Sequence, residues 1–185
     1  GTVTIDVLDA PDTPVTLHLR IPSWAEGASV AVGAQAAEEV PVGEYWTVTR
    51  RFASGDRIAL DLPMRTRLVE AHPRVASNAG RVALVRGPVV HCVEAADHPG
   101  IEVSSLAIDP RARWDVKSLE GLPGCPHALA GVGATCGDAG PTAPLHRTRA
   151  PKDWRAAMVT AVPYFAWANR EAGAMAVWLQ VMQPD

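Results

Sequence analysis

The chain has few of the features that would point to an electrostatic or membrane role. Only two of its basic residues are lysines, Lys117 and Lys152, and the formal net charge over 185 residues is −3. A surface for nucleic acid or anionic lipid needs a basic excess, so neither partner is expected. No stretch approaches the ~20 continuous apolar residues of a membrane-spanning helix. The N-terminus carries no basic stretch followed by an apolar core, so no signal peptide is read and a cytoplasmic setting is expected. Cysteine is scarce and odd in number, at three, which gives no complete disulfide framework. Cys125 and Cys136 share a Gly/Pro-rich stretch where they can pair. Cys92 stands in an apolar run and is expected to be a buried thiol. The glycine patterns that cradle nucleotides are missing, and so is the G-x-S-x-G elbow. No two histidines have the close spacing of a metal site, and Cys125-Pro126-His127 with Cys136 lacks a paired C-x-x-C.

What is present is period-two alternation, broken by proline and glycine. Val15, Leu17, Leu19 and Ile21 alternate with Thr16, His18 and Arg20, and Pro22 ends the run. Trp46, Val48, Arg50 and Phe52 alternate with Tyr45, Thr47, Thr49 and Arg51. A turn at Ser54-Gly55-Asp56 leads to Ile58, Leu60 and Leu62, and the two runs read as a hairpin. Short strands are also read at Val82–Val85 and Val89–Val93. The only helix signal is brief, at Asp153–Met158. Strands of about six residues with frequent turns predict an all-β, antiparallel sandwich fold.

Hydrophobic residues make up 48% of the chain, enough for a packed core. Two small sandwich-like units are expected, residues 1–96 and 97–185, because Asp97-His98-Pro99-Gly100 reads as a boundary. Within the second, Gly121 to Pro151 is rich in Gly, Pro and Ala and reads as a long loop. The chain then closes on an apolar hairpin from Met158 to Val181. There is no internal repeat.

Candidate chemistry is thin. Glycoside hydrolysis commonly uses two carboxyl groups about 5 to 9.5 Å apart. Asp56, Asp61, Glu70, Glu94 and Asp97 are the carboxylates to consider. Asp56 is explained by its turn, Asp61 faces outward, and the rest read as solvated surface groups. No catalytic, cofactor-binding or metal-binding residue is therefore assigned. The six tryptophans carry more information. Trp46 and Trp178 share faces with apolar neighbours and are expected in the core. Trp24 follows a Pro-Ser corner, and Tyr164 and Trp167 fall on opposite faces of an ideal strand. Trp24, Tyr164 and Trp167 are thus the candidates for an interface or for stacking on sugar rings.

Five segments, in this order, carry a resemblance: Leu19-Arg20-Ile21-Pro22-Ser23-Trp24, Gly55 to Met64, Gly80 to Pro88, Val162-Pro163-Tyr164-Phe165-Ala166-Trp167-Ala168-Asn169-Arg170, and Met175 to Leu179. Together they resemble the C-terminal part of glycoside hydrolase family 127, the β-L-arabinofuranosidase-type enzymes, from Gly1 to about Leu179. The stretch Val30 to Ala34 departs from that pattern: it lacks the family's Asn-Gly turn, although Gly33 can supply the positive φ. The resemblance implies a bacterial glycoside hydrolase whose zinc-bound cysteine nucleophile and glutamate acid/base lie in an α/α barrel upstream. None of those residues maps onto this chain. What it implies here is an accessory region that braces the N-terminal catalytic barrel, with a homodimer as a further partnership. A self-standing carbohydrate-binding module for arabinose-containing glycans is the alternative.

Overall fold

Alternating side chains become strands along nearly the whole chain. The computed structural model describes residues 1–119, 127–137, 146, 148 and 153–182, and it is all-β. The strands in chain order are β1 Thr2–Asp6, β2 Val15–Arg20, β3 Ser29–Val32, β4 Glu38–Glu39, β5 Tyr45–Arg50, β6 Arg57–Asp61, β7 Thr66–Glu70, β8 Arg81–Arg86, β9 Val89–Glu94, β10 Leu106–Ile108, β11 Trp114–Ser118, β12 His127–Cys136, β13 Trp154–Pro163, β14 Met175–Ala176 and β15 Trp178–Val181. Among the described residues, helix is limited to single 3-10 turns, and none is long and apolar enough to cross a membrane.

The chain divides between Arg65 and Thr66 into two compact units. The first is a sandwich. A four-stranded antiparallel sheet, β1-β6-β3-β4, shares a core with the two-stranded sheet β2-β5. Val30, Val32, Ile58 and Leu60 come from the larger sheet, and Leu17, Leu19, Trp46 and Val48 from the smaller. Each fully buried Val, Leu or Ile side chain contributes about 1.5–3 kcal/mol relative to exposure. The turn glycines Gly33 and Gly55 take positive φ, at 61° and 91°, a conformation that only glycine adopts at little cost. The expected hairpin between Tyr45–Phe52 and Ile58–Leu62 does not form. β5 pairs with β2 while β6 pairs with β1 and β3, so the two runs lie in opposite sheets. Alternation sets which side chains go inward but does not choose the partner strand.

In the second unit the pairings close on themselves: β8 with β9, β9 with β13, β13 with β12, β12 with β10, β10 with β15, and β15 with β8. Only β10–β15 is parallel. β7 flanks β8, β11 flanks β12 and β14 flanks β9. The core gathers Val82, Leu84, Val93, Leu106, Ile108, Leu129, Val159 and Leu179.

Five sequence expectations are corrected here. The boundary expected near residue 96 lies at 65/66, because β8 and β9, with β7 flanking β8, pair with strands beyond that point and bury Val82, Leu84 and Val93 in the second core. Asp97-His98-Pro99-Gly100 is only a turn inside that unit. The long loop expected at 121–151 contains the ten-residue strand β12, and the helix expected at Asp153–Met158 is the start of β13. The closing hairpin is absent: β13 pairs with β12 and β9, β14 with β9, and β15 with β8 and β10. Trp46 is half-buried against the core of the first unit, whereas Trp178 is half-buried on the side of β15 away from the core that Leu179 enters. The pairing of Cys125 with Cys136 falls outside the described residues.

The glycines that made β12 read as a loop mark close backbone approaches. A Cβ on Gly133 would sit 2.4 Å from the Ala107 carbonyl oxygen and 2.7 Å from Val159 Cγ2. One on Gly131 would meet the Trp114 ring at 2.9 Å. Glycine inside a strand often reports such contact. Gly133→Ala is therefore expected to destabilise the second unit by about 2–3 kcal/mol, since a backbone oxygen must move to admit the methyl. Gly137→Ala, with open space around its Cβ, is the control, and urea unfolding of both variants checks the difference.

Candidate functional site

The exposed aromatics of the second unit sit on one short turn. β13 ends at Pro163, whose fixed φ and missing N–H suit a strand end. Tyr164–Ala166 is a single 3-10 turn, in which residues three apart eclipse. Tyr164 and Trp167, expected on opposite faces of a strand, are thereby brought to the same side. Their rings stack with centroids 6.0 Å apart and planes 10° from parallel. Both are exposed, and Phe165 between them is more exposed still. Asn169 Nδ2 ties the turn together, donating to the Ala166 carbonyl at 3.0 Å and the Trp167 carbonyl at 3.3 Å.

A buried ionic clasp holds this turn in place. Ala168 has φ of 60°, the only positive φ of a non-glycine residue among those described. Such a conformation costs on the order of 1–3 kcal/mol and persists where the surroundings enforce it. Here the Ala168 N–H donates to Glu94 Oε1 at 3.0 Å. Arg170 completes the clasp. Its Nη2 donates to Glu94 Oε2 and Asp97 Oδ2, each at 2.6 Å, and its Nη1 to Asp97 Oδ1 at 2.7 Å. The carboxylates meet because Asp97 lies three residues beyond Glu94 across the 3-10 turn Ala95–Asp97. Their side chains are only 5% and 9% exposed, which corrects their reading as solvated surface groups. A planar fork that donates to two carboxylates at once is a task for arginine rather than lysine. Hydrogen bonds to Asp97 hold the Arg170 guanidinium above its ordinary pKa against the opposing effect of burial, and those to Glu94 add to this. Arg170 Nε is buried without a hydrogen-bond partner among the described residues.

The clasp engages both carboxylates of the pair. Glycoside hydrolysis needs its carboxyl groups on either side of a sugar. Glu94 and Asp97 instead converge on one guanidinium inside the fold. Of the other carboxylates, Asp56 accepts the Ala53 N–H in its turn and Asp61 accepts from Thr2 Oγ1. Glu70 is exposed at the end of β7.

Cys92 does not fit a zinc-thiolate centre either. Burial, then the Glu94 charge, pushes the Cys92 thiol up to about 12, against the pull of Arg170, whereas a metal ligand or nucleophile must be a thiolate. No group of three or more His, Cys, Asp or Glu suited to a metal is found among the described residues. Two histidines are buried and bonded. His91 Nδ1 lies 3.1 Å from the Val89 carbonyl, and His98 joins the Glu94 carbonyl, at 2.7 Å, to the Thr160 N–H, at 3.1 Å. Because His98 Nε2 accepts from Thr160, its Nδ1 carries the proton.

Of the residues singled out by sequence, Tyr164 and Trp167 are brought together. Trp24 is half-buried against the core of the first unit. Sequence reasoning missed Phe165, Arg170 and the Glu94–Asp97 pair. The i, i+3 spacing of the carboxylates was a signal, but nothing local ties them to an arginine 73 residues or more away.

Comparison with known proteins agrees with the earlier resemblance. Residues 1–64 match the family model described as the beta-L-arabinofuranosidase, GH127 middle domain, and residues 66–180 the glycoside hydrolase family 127 C-terminal domain. A non-reducing end beta-L-arabinofuranosidase from Bifidobacterium longum subsp. longum is 32% identical over 187 residues, covering 91% of this chain and 26% of the relative. A solved GH127 beta-L-arabinofuranosidase from Geobacillus stearothermophilus T6 superposes with a TM-score of 0.83 at 32% identity, covering 98% of this chain and 29% of that one. Another solved structure, titled a glycoside hydrolase, gives a TM-score of 0.90 at 26% identity over 99% of this chain and 30% of its own. The chain thus spans between a quarter and a third of these relatives.

Two outcomes test the clasp and its surroundings. Arg170→Ala leaves two carboxylates buried without their cation and should cost about 3–5 kcal/mol, with Arg170→Lys recovering only part of it, as read by urea midpoints. Burial holds the His91 imidazole below its ordinary value of 6.5, with the nearby Arg86 charge acting the same way and the Val89 carbonyl opposing. The unfolded state then binds the proton first, so stability falls as pH drops below about 6.5 and is retained above it. Unfolding midpoints of His91→Gln across this range should lose that part of the pH dependence.

Proposed function

Because the chain belongs to glycoside hydrolase family 127, matching its middle and C-terminal domains, we propose that these residues are the non-catalytic accessory β-sandwich region of a β-L-arabinofuranosidase-like glycoside hydrolase. Their role is to brace a catalytic α/α barrel carried by the rest of the polypeptide. The zinc-bound cysteine and the acid/base glutamate that the resemblance implies belong to that barrel. The observation that carries this reading is the sealed state of the Glu94–Asp97 pair: both carboxylates are consumed by Arg170. The family's domain boundary, between residues 64 and 66, also coincides with the division of the fold.

Tyr164, Phe165 and Trp167 are the docking surface in this reading. Exposed large aromatics held on a rigid turn are the residue types that dominate interface energetics. Trp24 is the corresponding candidate on the first unit. A homodimer through the aromatic turn is a further use of the same surface. A cytoplasmic setting agrees with the buried Cys92 thiol. The second reading, a carbohydrate-binding module for arabinose-containing glycans, is favoured by one observation, the exposed Tyr164–Trp167 stack, whose outer ring faces suit sugar CH groups.

Trp167→Ala in the full-length enzyme separates the readings. Bracing predicts a lower thermal midpoint of the catalytic barrel with retention on arabinan-type glycans unchanged. A glycan-binding role predicts lost retention with an unchanged midpoint. A variant that matches the native enzyme in both measurements sinks the assignment of this turn.

A further inference from the structure

The smaller sheet of the first unit has an unfilled edge. This inference rests on the reading that the chain is a portion of a longer polypeptide. The phase of the β2–β5 ladder follows from one bond: the Ile21 N–H donates to the Glu44 carbonyl at 2.9 Å. Hydrogen-bonded and non-hydrogen-bonded pairs alternate along an antiparallel ladder. Leu19/Trp46, Leu17/Val48 and Val15/Arg50 are therefore the bonded pairs. The pairs between them, Arg20/Tyr45, His18/Thr47 and Thr16/Thr49, aim their N–H and C=O groups away from the partner strand. Their side chains agree, since non-bonded pairs approach more closely. Thr16 Oγ1 lies 2.8 Å from Thr49 Oγ1, and His18 Nδ1 lies 3.0 Å from Thr47 Oγ1. Among the described residues, none of these six backbones has a backbone partner on its outer side.

The two sheets are also unequal, four strands against two. At one end they are matched: the Trp46 indole of β5 donates to Glu38 of β4 at 2.9 Å, which sets β5 over the β4 end. At the other end the larger sheet is left uncovered. Val3 of β1 points to the same side as Ile5, which packs on the core, and pairs with Leu60. Leu60 is 6% exposed, whereas Val3 is 45% exposed. The missing cover lies beside β2. That edge carries no lysine and no internal proline, and its one charged side chain, Arg20, donates to the Gly43 carbonyl.

We propose that β2 receives a third strand, contributed by the part of the same polypeptide that lies outside these 185 residues. The occupant is an extended segment with an apolar side chain over Val3. Its source is argued from length: the chain is 26% of the Bifidobacterium relative, so most of such a polypeptide lies elsewhere. A tethered strand adds intramolecularly, at high effective concentration. Two strands are also marginal as a sheet, and three are markedly more stable.

Residue-resolved hydrogen exchange on the full-length enzyme tests this. The amides of Thr16, His18 and Arg20 should be slowed on the order of 100-fold or more relative to those of Tyr45, Thr47 and Thr49. Equal, fast exchange in both sets overturns the proposal, and protection confined to β5 overturns the choice of edge. Protection that disappears on dilution makes the occupant a second copy and overturns the intramolecular source. As a second measurement, Val3→Asp should lower the thermal midpoint while Thr4→Asp, on the opposite face of β1, leaves it unchanged. Equal midpoints for both variants count against a covering strand. These readouts lie in the first unit, so their failure is distinct from a failure at Trp167.

Discussion

The geometry of the second unit hangs on one buried guanidinium. Glu94 and Asp97 are pressed together by a 3-10 turn at the end of β9, a placement that like charges resist in a low-dielectric interior. Arg170 resolves the conflict by donating to both. In doing so it binds the end of β9 to a turn more than seventy residues further along the chain. The same contact network holds Ala168 in a left-handed conformation and fixes where Tyr164 and Trp167 stand. It also sets the electrostatics of the neighbourhood, since the Glu94 charge helps keep the Cys92 thiol protonated. Charge pairing, backbone strain and aromatic display are thus parts of one arrangement.

A second constraint is steric. β12 lies at the centre of its sheet, bordered by β13, β10 and β11. Its glycines allow the Trp114 ring and the Ala107 carbonyl to approach within a distance that a methyl group forbids. Side-chain volume removed from the strand is replaced by neighbouring backbone and ring, so packing density is kept.

These features fit the accessory role proposed above. Glu94 and Asp97 are directed inward and paired with Arg170, while Tyr164, Phe165 and Trp167 are directed outward. That division suits a region that holds something else in place. Membership of glycoside hydrolase family 127 supplies the context, and the chain spans 26% of the length of the Bifidobacterium relative. The unequal sheets of the first unit suggest that the remainder also completes the sandwich.

Much was legible from residue order alone. The all-β class follows from alternation, because side chains on a strand point to opposite faces with a period of two. Gly33 and Gly55 were readable as turns from glycine's freedom at positive φ, and Cys92 as buried from its apolar run. The family was readable because segments such as Val162 to Arg170 keep their order and composition. What alternation cannot state is which strand lies beside which. It therefore could not separate β5 from β6, place the boundary at 65/66, or undo the apparent hairpin of β13 with β14 and β15. Glycine and alanine also read as loop in β12, where they are strand, because the reason for glycine there is a neighbour distant in sequence. Tyr164 and Trp167 were legible as interface candidates, but on opposite faces of a strand. Their stacking depends on a 3-10 turn that Arg170, Glu94 and Asp97 impose from across the fold. Local sequence determined the class of structure and the identity of its conspicuous residues. Only tertiary structure decided pairing, boundary and clasp, because each rests on contacts between residues that the chain order keeps apart.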